Sequence, residues 1–562
     1  MTKVTAGAAL VARLGQLGVD YIFANSGTDF PPIIEGLAEA AAKEMPLPTA
    51  ITVPHETAAV AMAHGYTLAT GKAQAVMVHT NVGLANAAIG AINARSDNVP
   101  MLIFSGRTPT TEAGRFGSRT VPIGWGQEMM DQHALIREAA KWDYELRFPE
   151  QVSQIVDRAH GIAHSVPKGP VYLSLPREVL CESVEAPDGA ASLHPAQPTA
   201  HPDDIAQAAE LISQAERPVM FAQRGAGSPE AFAALTELVD VWAIPVCQYW
   251  ALQLAIPSNH AMATWPDPAP LLDEADLIII LDALAPWQPD RHAPKPDAKT
   301  IQIAQDPLFA QTPVRHFRSD LSLAGDLSAN ILSLRDALAH HRPRDRQDRH
   351  AQVAARNAQS WAERDAASAK DATEPGLTKR WISAELASLA RDQDVTIFGE
   401  LGAQLPAMKL EHAHSWYESP HSGGLGFGLP AALGYKLGCP DRFVITTLGD
   451  GSYMFANPLA CHQVATALGI SVLVVVLNNS AWGAVRASVK DLYPGGYAAK
   501  ANIMPLTDLS PSPDFASVAA ACGAWSRQVR TRDDWAAALA EARAHVQEDR
   551  GLALLDVEVV LD

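Results

Sequence analysis

Two short polar motifs in the last third of the chain could together bind a divalent cation and a diphosphate. Gly449–Ser452 reads Gly-Asp-Gly-Ser, and Asn478 and Asn479 follow an apolar run further along. The glycines allow a tight turn from a strand into a helix, in which backbone N–H groups face a phosphate and the Asp450 carboxylate faces a cation. Carboxylate, amide and phosphate oxygens form the hard-oxygen shell that Mg²⁺ prefers. Together the motifs predict a Mg²⁺-diphosphate site.

Parallel strands are needed to bring these motifs together, and the chain has the pattern of such strands. Apolar runs of strand length alternate with amphipathic helices, as in parallel sheets that helices cover on both faces. The predicted strands include residues 21–23, 75–78, 101–104, 218–221, 277–281, 395–398, 443–448 and 472–477. Ligands of such sheets bind at the carboxyl ends of strands, which is where both motifs lie. The fold class is therefore predicted to be α/β.

Two stretches of distinct composition divide the chain. Residues 186–203 are rich in Pro and Ala and lack periodicity, which indicates a linker. Residues 341–376 are dense in Arg, Asp, Gln and Ala, which predicts an exposed, partly helical connector. The predicted domains are residues 1–185, 204–340 and 377–562.

Composition excludes several classes of partner. The net charge is −19, and no Lys/Arg-rich run is present, so we expect no binding to nucleic acid or to an anionic membrane. The five cysteines are far apart and lack C-x-x-C spacing, which argues against zinc and for a reducing cytoplasm. The N-terminus predicts a helix followed by a strand rather than a secretion signal, and no apolar run reaches the ~18 residues of a membrane span.

The Gly-Asp-Gly and Asn-Asn motifs resemble those of the thiamine diphosphate (ThDP) superfamily that includes pyruvate decarboxylase, acetolactate synthase and benzoylformate decarboxylase. The resemblance covers the whole chain and implies three doubly wound domains, each a mainly parallel sheet flanked by helices. It implies ThDP and Mg²⁺ as cofactors. The implied metal ligands are Asp450, Asn479 and the Ala481 carbonyl, and the implied diphosphate contacts are Gly449, Gly451, Ser452, Glu400, Leu401 and Gly402.

The pyrimidine half of the cofactor is implied by a second motif. His55 and Glu56 open a stretch that resembles the superfamily signature H-E-x-x-A-x-x-x-A-x-G-Y. A buried Glu suits proton exchange with the aminopyrimidine ring, which activates the thiazolium C2. Without the resemblance, Glu56 would be a favourable acid at a helix N-terminus. In this superfamily the Glu and the diphosphate site meet across a subunit interface, so a homodimer or tetramer is implied.

Residues 422–432 resemble the segment that contacts the aminopyrimidine. The resemblance places Gly424 beside the ring and gives Leu425 the role of the bulky residue that holds ThDP in its bent conformation. The alternative for Leu425 is an ordinary core leucine.

The substrate side of the site locally resembles benzoylformate decarboxylase. His79 matches the first active-site histidine of that enzyme, and Thr28 or Ser26 matches its catalytic serine. Alternatively, the 25–29 segment is a turn in which Asp29 caps the next helix. Further pocket candidates are Asn25, His55, Gln127, Gln288 and Trp482. Gln288 stands where that enzyme has a second catalytic histidine, and an amide cannot act as an acid or base.

The predicted function is decarboxylation or carboligation of a small-molecule 2-oxo acid, through a ThDP-bound enamine formed by C–C cleavage. Acetolactate synthase-like carboligation remains open, because Gln127 and Glu128 resemble that branch. FAD is not expected, since the central segment lacks the Gly-x-Arg-Phe-Asp run. Two more functions remain open at this point: that of a 2-hydroxyacyl-CoA lyase and that of a catalytically silent ThDP-binding subunit.

Overall fold

The computed structural model describes residues 2–189, 193–264, 267–343, 346–391 and 393–561. It forms two compact units. The first contains residues 1–196, 419–528 and 536–556, and the second contains residues 197–418, 529–535 and 557–562. Residues 190–192 of the predicted linker and 344–345 of the predicted connector lie outside the described residues.

The N-terminal part of the first unit is a six-stranded parallel sheet. In spatial order its strands are Thr49–Thr52, Tyr21–Asn25, Ala75–Val78, Met101–Arg107, Pro170–Pro176 and Asp143–Glu145. The helices of this part are Ala6–Gln16, Pro31–Ala42, Glu56–Thr70, Thr80–Ser96, Ile123–Gly126, Val152–His164 and Arg177–Leu180. Ala75–Val78 is buried along its whole length, as expected of a central parallel strand with helices on both faces.

A buried ion pair joins two of these helices. The Arg13 guanidinium donates two hydrogen bonds to the Asp157 carboxylate, with Nε–Oδ1 at 2.6 Å and Nη2–Oδ2 at 2.8 Å. The two side chains are only 4% and 2% exposed. This parallel geometry satisfies both charges without water, which is what a buried pair requires.

The second unit contains a parallel six-stranded sheet of its own. In spatial order its strands are Ala263–Thr264, Val246–Cys247, Pro218–Ala222, Leu277–Leu281, Lys299–Ala304 and Leu321–Ala324. The accompanying helices are Pro202–Gln214, Pro229–Val241, Ala269–Leu272 and Leu327–Leu338. The predicted connector contains the long polar helix Arg346–Asp371. Among the described residues, none of the helices has both the length and the hydropathy needed to cross a bilayer.

The remaining long strands make up a third region of sheet, in the C-terminal part of the chain. Those mainly in the first unit are, in spatial order, Phe443–Gly449, Leu473–Asn478, Ala553–Glu558 and Trp525–Val529. In the second unit, Val395–Glu400 pairs in parallel with Trp416–Glu418. The helices of this C-terminal part are Lys379–Ser388, Gly428–Gly438, Asp450–Phe455, Pro458–Leu468, Gly483–Leu492, Tyr497–Ala501, Phe515–Ala521 and Arg532–Gln547. The prediction of an α/β fold with three mainly parallel sheets flanked by helices is confirmed.

Within the first unit, helices Glu56–Thr70 and Gly428–Gly438 pack backbone against backbone. A Cβ atom at Gly65 would lie 1.9 Å from the Ala431 carbonyl oxygen, and one at Gly434 would lie 1.9 Å from the Met62 carbonyl oxygen. Only glycine permits such an approach. The crossing fixes the helix that begins at Glu56 against the helix that the predicted pyrimidine segment enters.

Candidate active site

Glu56 is the first residue of its helix and is held by two amide side chains. The helix begins after His55, whose Nδ1 accepts a hydrogen bond from the Thr57 N–H. Glu56 is 6% exposed. Its Oε1 accepts from Asn25 Nδ2 at 2.8 Å, and its Oε2 accepts from Asn86 Nδ2 at 3.0 Å. Both oxygens therefore have neutral donors and retain lone pairs that can accept a proton.

His79 lies between an acid and an amide, directly after the strand Ala75–Val78. Its Nδ1 makes a short contact with Asp29 Oδ1, and its Nε2 lies 2.9 Å from Gln127 Nε2. The Asp29 hydrogen bond holds the pKa of His79 above its ordinary value, although partial burial works in the opposite direction. With the Gln127 amide donating, the neutral imidazole carries its proton on Nδ1, and rotating that amide by 180° would accommodate the imidazolium.

The interpretation of Asp29 as a helix cap is wrong. The next helix is Pro31–Ala42, its N-cap residue is Phe30, and that end has no side-chain cap. Asp29 is buried and directs its second oxygen to the Thr80 N–H at 3.2 Å. It is therefore a partner of His79 and of the helix that follows His79.

A cavity of about 200 Å³ opens beside His79. Thr28, Asp29 and Gln127 are among its lining residues. Ser26 is exposed and is not part of the lining. Of the two hydroxyl candidates, Thr28 is thus the one that shares a cavity with His79.

The Gly-Asp-Gly and Asn-Asn motifs lie at the ends of neighbouring parallel strands. Phe443–Gly449 pairs with Leu473–Asn478, and helix Asp450–Phe455 begins directly after the first of them. Asp450 Oδ2 and Asn479 Oδ1 both accept from the Ala481 N–H, at 3.2 and 3.1 Å. The carboxylate and amide oxygens therefore converge on one point.

A hydroxyl, a carbonyl and an indole ring lie close to these oxygens. The buried Ser452 hydroxyl has no hydrogen-bond partner among the described residues. The Ala481 carbonyl accepts from the Gly483 N–H at 2.8 Å, and its second lone pair remains available. Trp482 packs against Gly451, where an added Cβ would lie 2.2 Å from the indole ring. This contact supports a packing role for Trp482.

The segment 422–428, which we call the glycine loop, is anchored by Asn93. The Asn93 amide donates to the Gly424 carbonyl at 2.9 Å and accepts from the Ser422 hydroxyl at 2.7 Å. Leu425 is half-buried, so it is not an ordinary core leucine. Sequence reasoning missed Asn93, Asn86 and the role of Asp29, because each is identified by contacts with residues distant in the chain.

The other predicted residues belong to the second unit. Glu400 is fully buried at the end of strand Val395–Glu400. Leu401 adopts a left-handed φ of 58°, and its carbonyl accepts from Lys379 Nζ at 2.9 Å. Gly402 is buried, and Gln288 is exposed.

Three family models of the thiamine pyrophosphate enzymes match this chain. The N-terminal TPP binding domain matches residues 4–135, the central domain matches residues 205–334, and the C-terminal TPP binding domain matches residues 395–557. Both motif regions of the first unit fall inside the two TPP binding domains.

Curated relatives and solved structures agree with this match. The chain is 29% identical to a probable 2-ketoarginine decarboxylase of Pseudomonas aeruginosa, over 94% of this chain and 90% of the relative. It is 26% identical to the large subunit of acetolactate synthase isozyme 3 of Escherichia coli, over 99% and 95%. The structure of the Rhodococcus jostii 4-hydroxybenzoylformate decarboxylase superposes with a TM-score of 0.79 at 24% identity and covers 100% of both chains.

The benzoylformate decarboxylase of Polynucleobacter necessarius gives the same TM-score of 0.79 at 20% identity, over 99% of both chains. These two similarities establish the fold. The three family models, which together match most of the chain, show that the chain belongs to the thiamine pyrophosphate enzyme family.

Proposed function

We propose that the protein is a ThDP- and Mg²⁺-dependent enzyme that cleaves the bond between the carboxylate and the carbonyl of a 2-oxo acid, in the manner of a benzoylformate decarboxylase. The main support for the proposal is that the first unit contains three sets of polar groups suited to this reaction. It contains a carboxylate held by two amides at Glu56, an Asp29–His79 pair beside a cavity, and converging oxygens at Asp450 and Asn479.

The donor set at the end of the third sheet fits the cofactor. Asp450, Asn479 and the Ala481 carbonyl would hold Mg²⁺, since hard oxygen ligands suit that ion. The unpartnered Ser452 hydroxyl and the N–H groups at the start of its helix would receive the diphosphate. Bound ThDP supplies the electron sink for the electron pair of the broken C–C bond.

Glu56 would exchange a proton with the aminopyrimidine ring. Asn25 and Asn86 fix the position of its carboxylate, because each oxygen has one amide donor. Gly424 and Leu425 would contact the ring from the glycine loop. As in the superfamily, we propose that these residues and the Mg²⁺ site meet between two subunits of a homodimer or tetramer.

His79 would transfer the proton that the product carbon receives once CO₂ has left. Asp29 keeps the imidazole oriented and favours its protonated form, which is the form that can donate. Thr28 would bind the substrate within the cavity. Gln288 is given no acid–base role, so His79 is the only histidine to which this proposal assigns a proton transfer.

The direct test is a substrate panel. Purified protein with ThDP and Mg²⁺ is incubated with aliphatic and aromatic 2-oxo acids, and the products are identified by mass. Release of an aldehyde supports decarboxylation. Formation of acetolactate from pyruvate supports the carboligase alternative, which the full-length similarity to acetolactate synthases favours. If no acid is consumed, the proposal fails. Chelation of Mg²⁺ should abolish turnover, and adding Mg²⁺ back should restore it.

Glu56→Gln separates an enzyme from a silent ThDP-binding subunit. Loss of the acid should lower kcat by about 10²–10⁴-fold while the protein stays folded. Glu35→Gln is the matched control, because Glu35 is an exposed acid on the preceding helix of the chain. Full turnover and full exchange of the cofactor C2 proton in Glu56→Gln would refute the assigned role.

A further inference from the structure

The cavity beside His79 is lined by an arginine that forms no ion pair among the described residues. Arg119 and Arg177 both line it. Arg119 is paired, because its Nη2 contacts Glu128 and its Nε donates to the Pro109 carbonyl at 2.7 Å. Arg119 therefore has an acidic partner within the protein, which it shares with Arg107.

Arg177 differs from Arg119 in its partners. It follows the strand Pro170–Pro176 and is half-buried. Its Nε donates to the Gly117 carbonyl at 2.8 Å, and its Nη2 donates to the Ser118 carbonyl. In the ranges that the structure describes, no carboxylate lies within 4.0 Å of this guanidinium. Two neutral carbonyls orient the group but do not neutralise its charge, and the side chain lines the cavity.

The neighbouring acid does not serve as a counter-ion either. Glu178 accepts hydrogen bonds from the N–H and hydroxyl of Thr110, at 2.6 and 2.5 Å, and from the Thr111 N–H at 3.1 Å. All three bonds reach Oε1, whereas the buried Oε2 has no hydrogen-bond partner among the described residues. Neither oxygen forms an ion pair with Arg177 in that part of the chain. An anion that enters the cavity would be the first acidic partner of Arg177.

The carboxylate that leaves as CO₂ is a poor candidate for this partner. A strong charge-assisted contact with that group would stabilise the bound acid and be lost as the charge moves away, which would raise the barrier to decarboxylation. A group that remains anionic throughout the reaction has no such conflict. A fixed guanidinium therefore suits the far end of the substrate.

We propose that Arg177 makes the enzyme selective for short 2-oxo acids that carry a second anionic group, a carboxylate, sulfonate or phosphonate, at the end remote from the reacting carbonyl. This inference rests on the proposed function. The cavity of about 200 Å³ limits the acid to a small one, since sites for drug-sized ligands measure roughly 300–1,000 Å³. Gln127 and Thr28 also line the cavity and can orient the 2-oxo acid end of the substrate near His79.

The test compares 2-oxoglutarate with its distal amide, 2-oxoglutaramate, on the holoenzyme. The two molecules are matched in size and differ by one charge. A charge-assisted hydrogen bond favours the dianion by about 10- to 100-fold in kcat/KM. Arg177→Gln should bring this ratio towards one, mainly through KM, whereas Arg177→Lys should retain part of it. Phosphonopyruvate and sulfopyruvate, compared with pyruvate, extend the test to the other anions.

Arg115→Gln is the control. Arg115 is an exposed arginine in the loop that contains Gly117 and Ser118, and it pairs with Glu182. It should keep the wild-type ratio. Equal use of the dianion and its amide by the wild type, or an unchanged ratio in Arg177→Gln, would overturn the inference.

Calorimetric titration of the holoenzyme with the same pair separates this inference from the proposed function. If no 2-oxo acid is turned over, the proposed function fails. Tighter binding of 2-oxoglutarate than of its amide, lost in Arg177→Gln, would still support the anion site. Equal binding, or no binding of either, would refute it.

Discussion

Replacing Gly65 by alanine tests whether the helix crossing in the first unit positions the active site. The added Cβ would lie 1.9 Å from the Ala431 carbonyl oxygen, whereas ordinary contact begins at 3.4 Å. Helices Glu56–Thr70 and Gly428–Gly438 must therefore separate by about 1.5 Å at this point. The obstacle is backbone, so no side-chain rotation can remove it.

The expected cost is that of overpacking a close-packed interface, about 1–3 kcal/mol. The entropy of unfolding grows with chain length, and the first unit contains more than 300 residues. Each kcal/mol should therefore lower its Tm by about 1.5 °C, so the transition should fall by roughly 1.5–4.5 °C. The substitution should also weaken ThDP binding, because the separated helices begin at Glu56 and at Gly428, the last residue of the glycine loop. Thermal melting followed by circular dichroism and a ThDP titration measure the two effects.

Gly495→Ala is the matched control for this experiment. A Cβ at Gly495 would meet no atom within 4 Å, and its φ lies outside the left-handed region. This variant should melt with the wild type. If Gly65→Ala also melts within about 1 °C of the wild type and binds ThDP as tightly, the crossing does not constrain the site.

Three further substitutions test other contacts of the first unit. Asp29→Asn removes the carboxylate that raises the pKa of His79, so this pKa should fall. The decline of kcat/KM with rising pH should therefore begin at a lower pH than in the wild type. Identical pH profiles of the two proteins would contradict the role assigned to Asp29. Asp157→Asn removes the acid of the buried Arg13–Asp157 pair and should cost about 3–5 kcal/mol in chemical denaturation. A cost below 1 kcal/mol would show that water or a neighbour replaces the acid. Asn93→Ala removes both hydrogen bonds that anchor the glycine loop and should raise the Kd for ThDP about tenfold with little change in Tm, so an unchanged Kd would exclude an anchoring role.

The contacts that sequence could predict are those set by a local pattern. Asp450 and Asn479 each lie at the carboxyl end of an apolar strand, and parallel pairing of Phe443–Gly449 with Leu473–Asn478 brings those ends together. Glu56 was predicted to open a helix, and it does. In each case the chain supplies both the element and the polar residue at its end, so spacing alone locates the side chain.

The contacts that sequence could not predict depend on how separate elements come together. Asp29 fits a helix cap by residue type, yet Phe30 occupies that position and Asp29 turns to His79, 50 residues further along. Asn93 reaches the Gly424 carbonyl across 331 positions. A buried polar group takes whichever partner the packed structure places beside it, because an unpaired one costs about 1–3 kcal/mol. Residue type limits which partners a side chain can bind, but the packed structure decides which of them it does bind.

Arg177 illustrates the same limit for specificity. An arginine that follows a strand is ordinary in a sequence, and nothing in its type or spacing separates it from Arg119, which forms an ion pair with Glu128. What distinguishes Arg177 is that the loop at Gly117 and Ser118 offers it carbonyl oxygens in place of carboxylates. The cofactor chemistry therefore follows from motifs that can be read along the chain. The proposed choice of substrate instead rests on Arg177, an arginine with no ion pair in the described part of the chain.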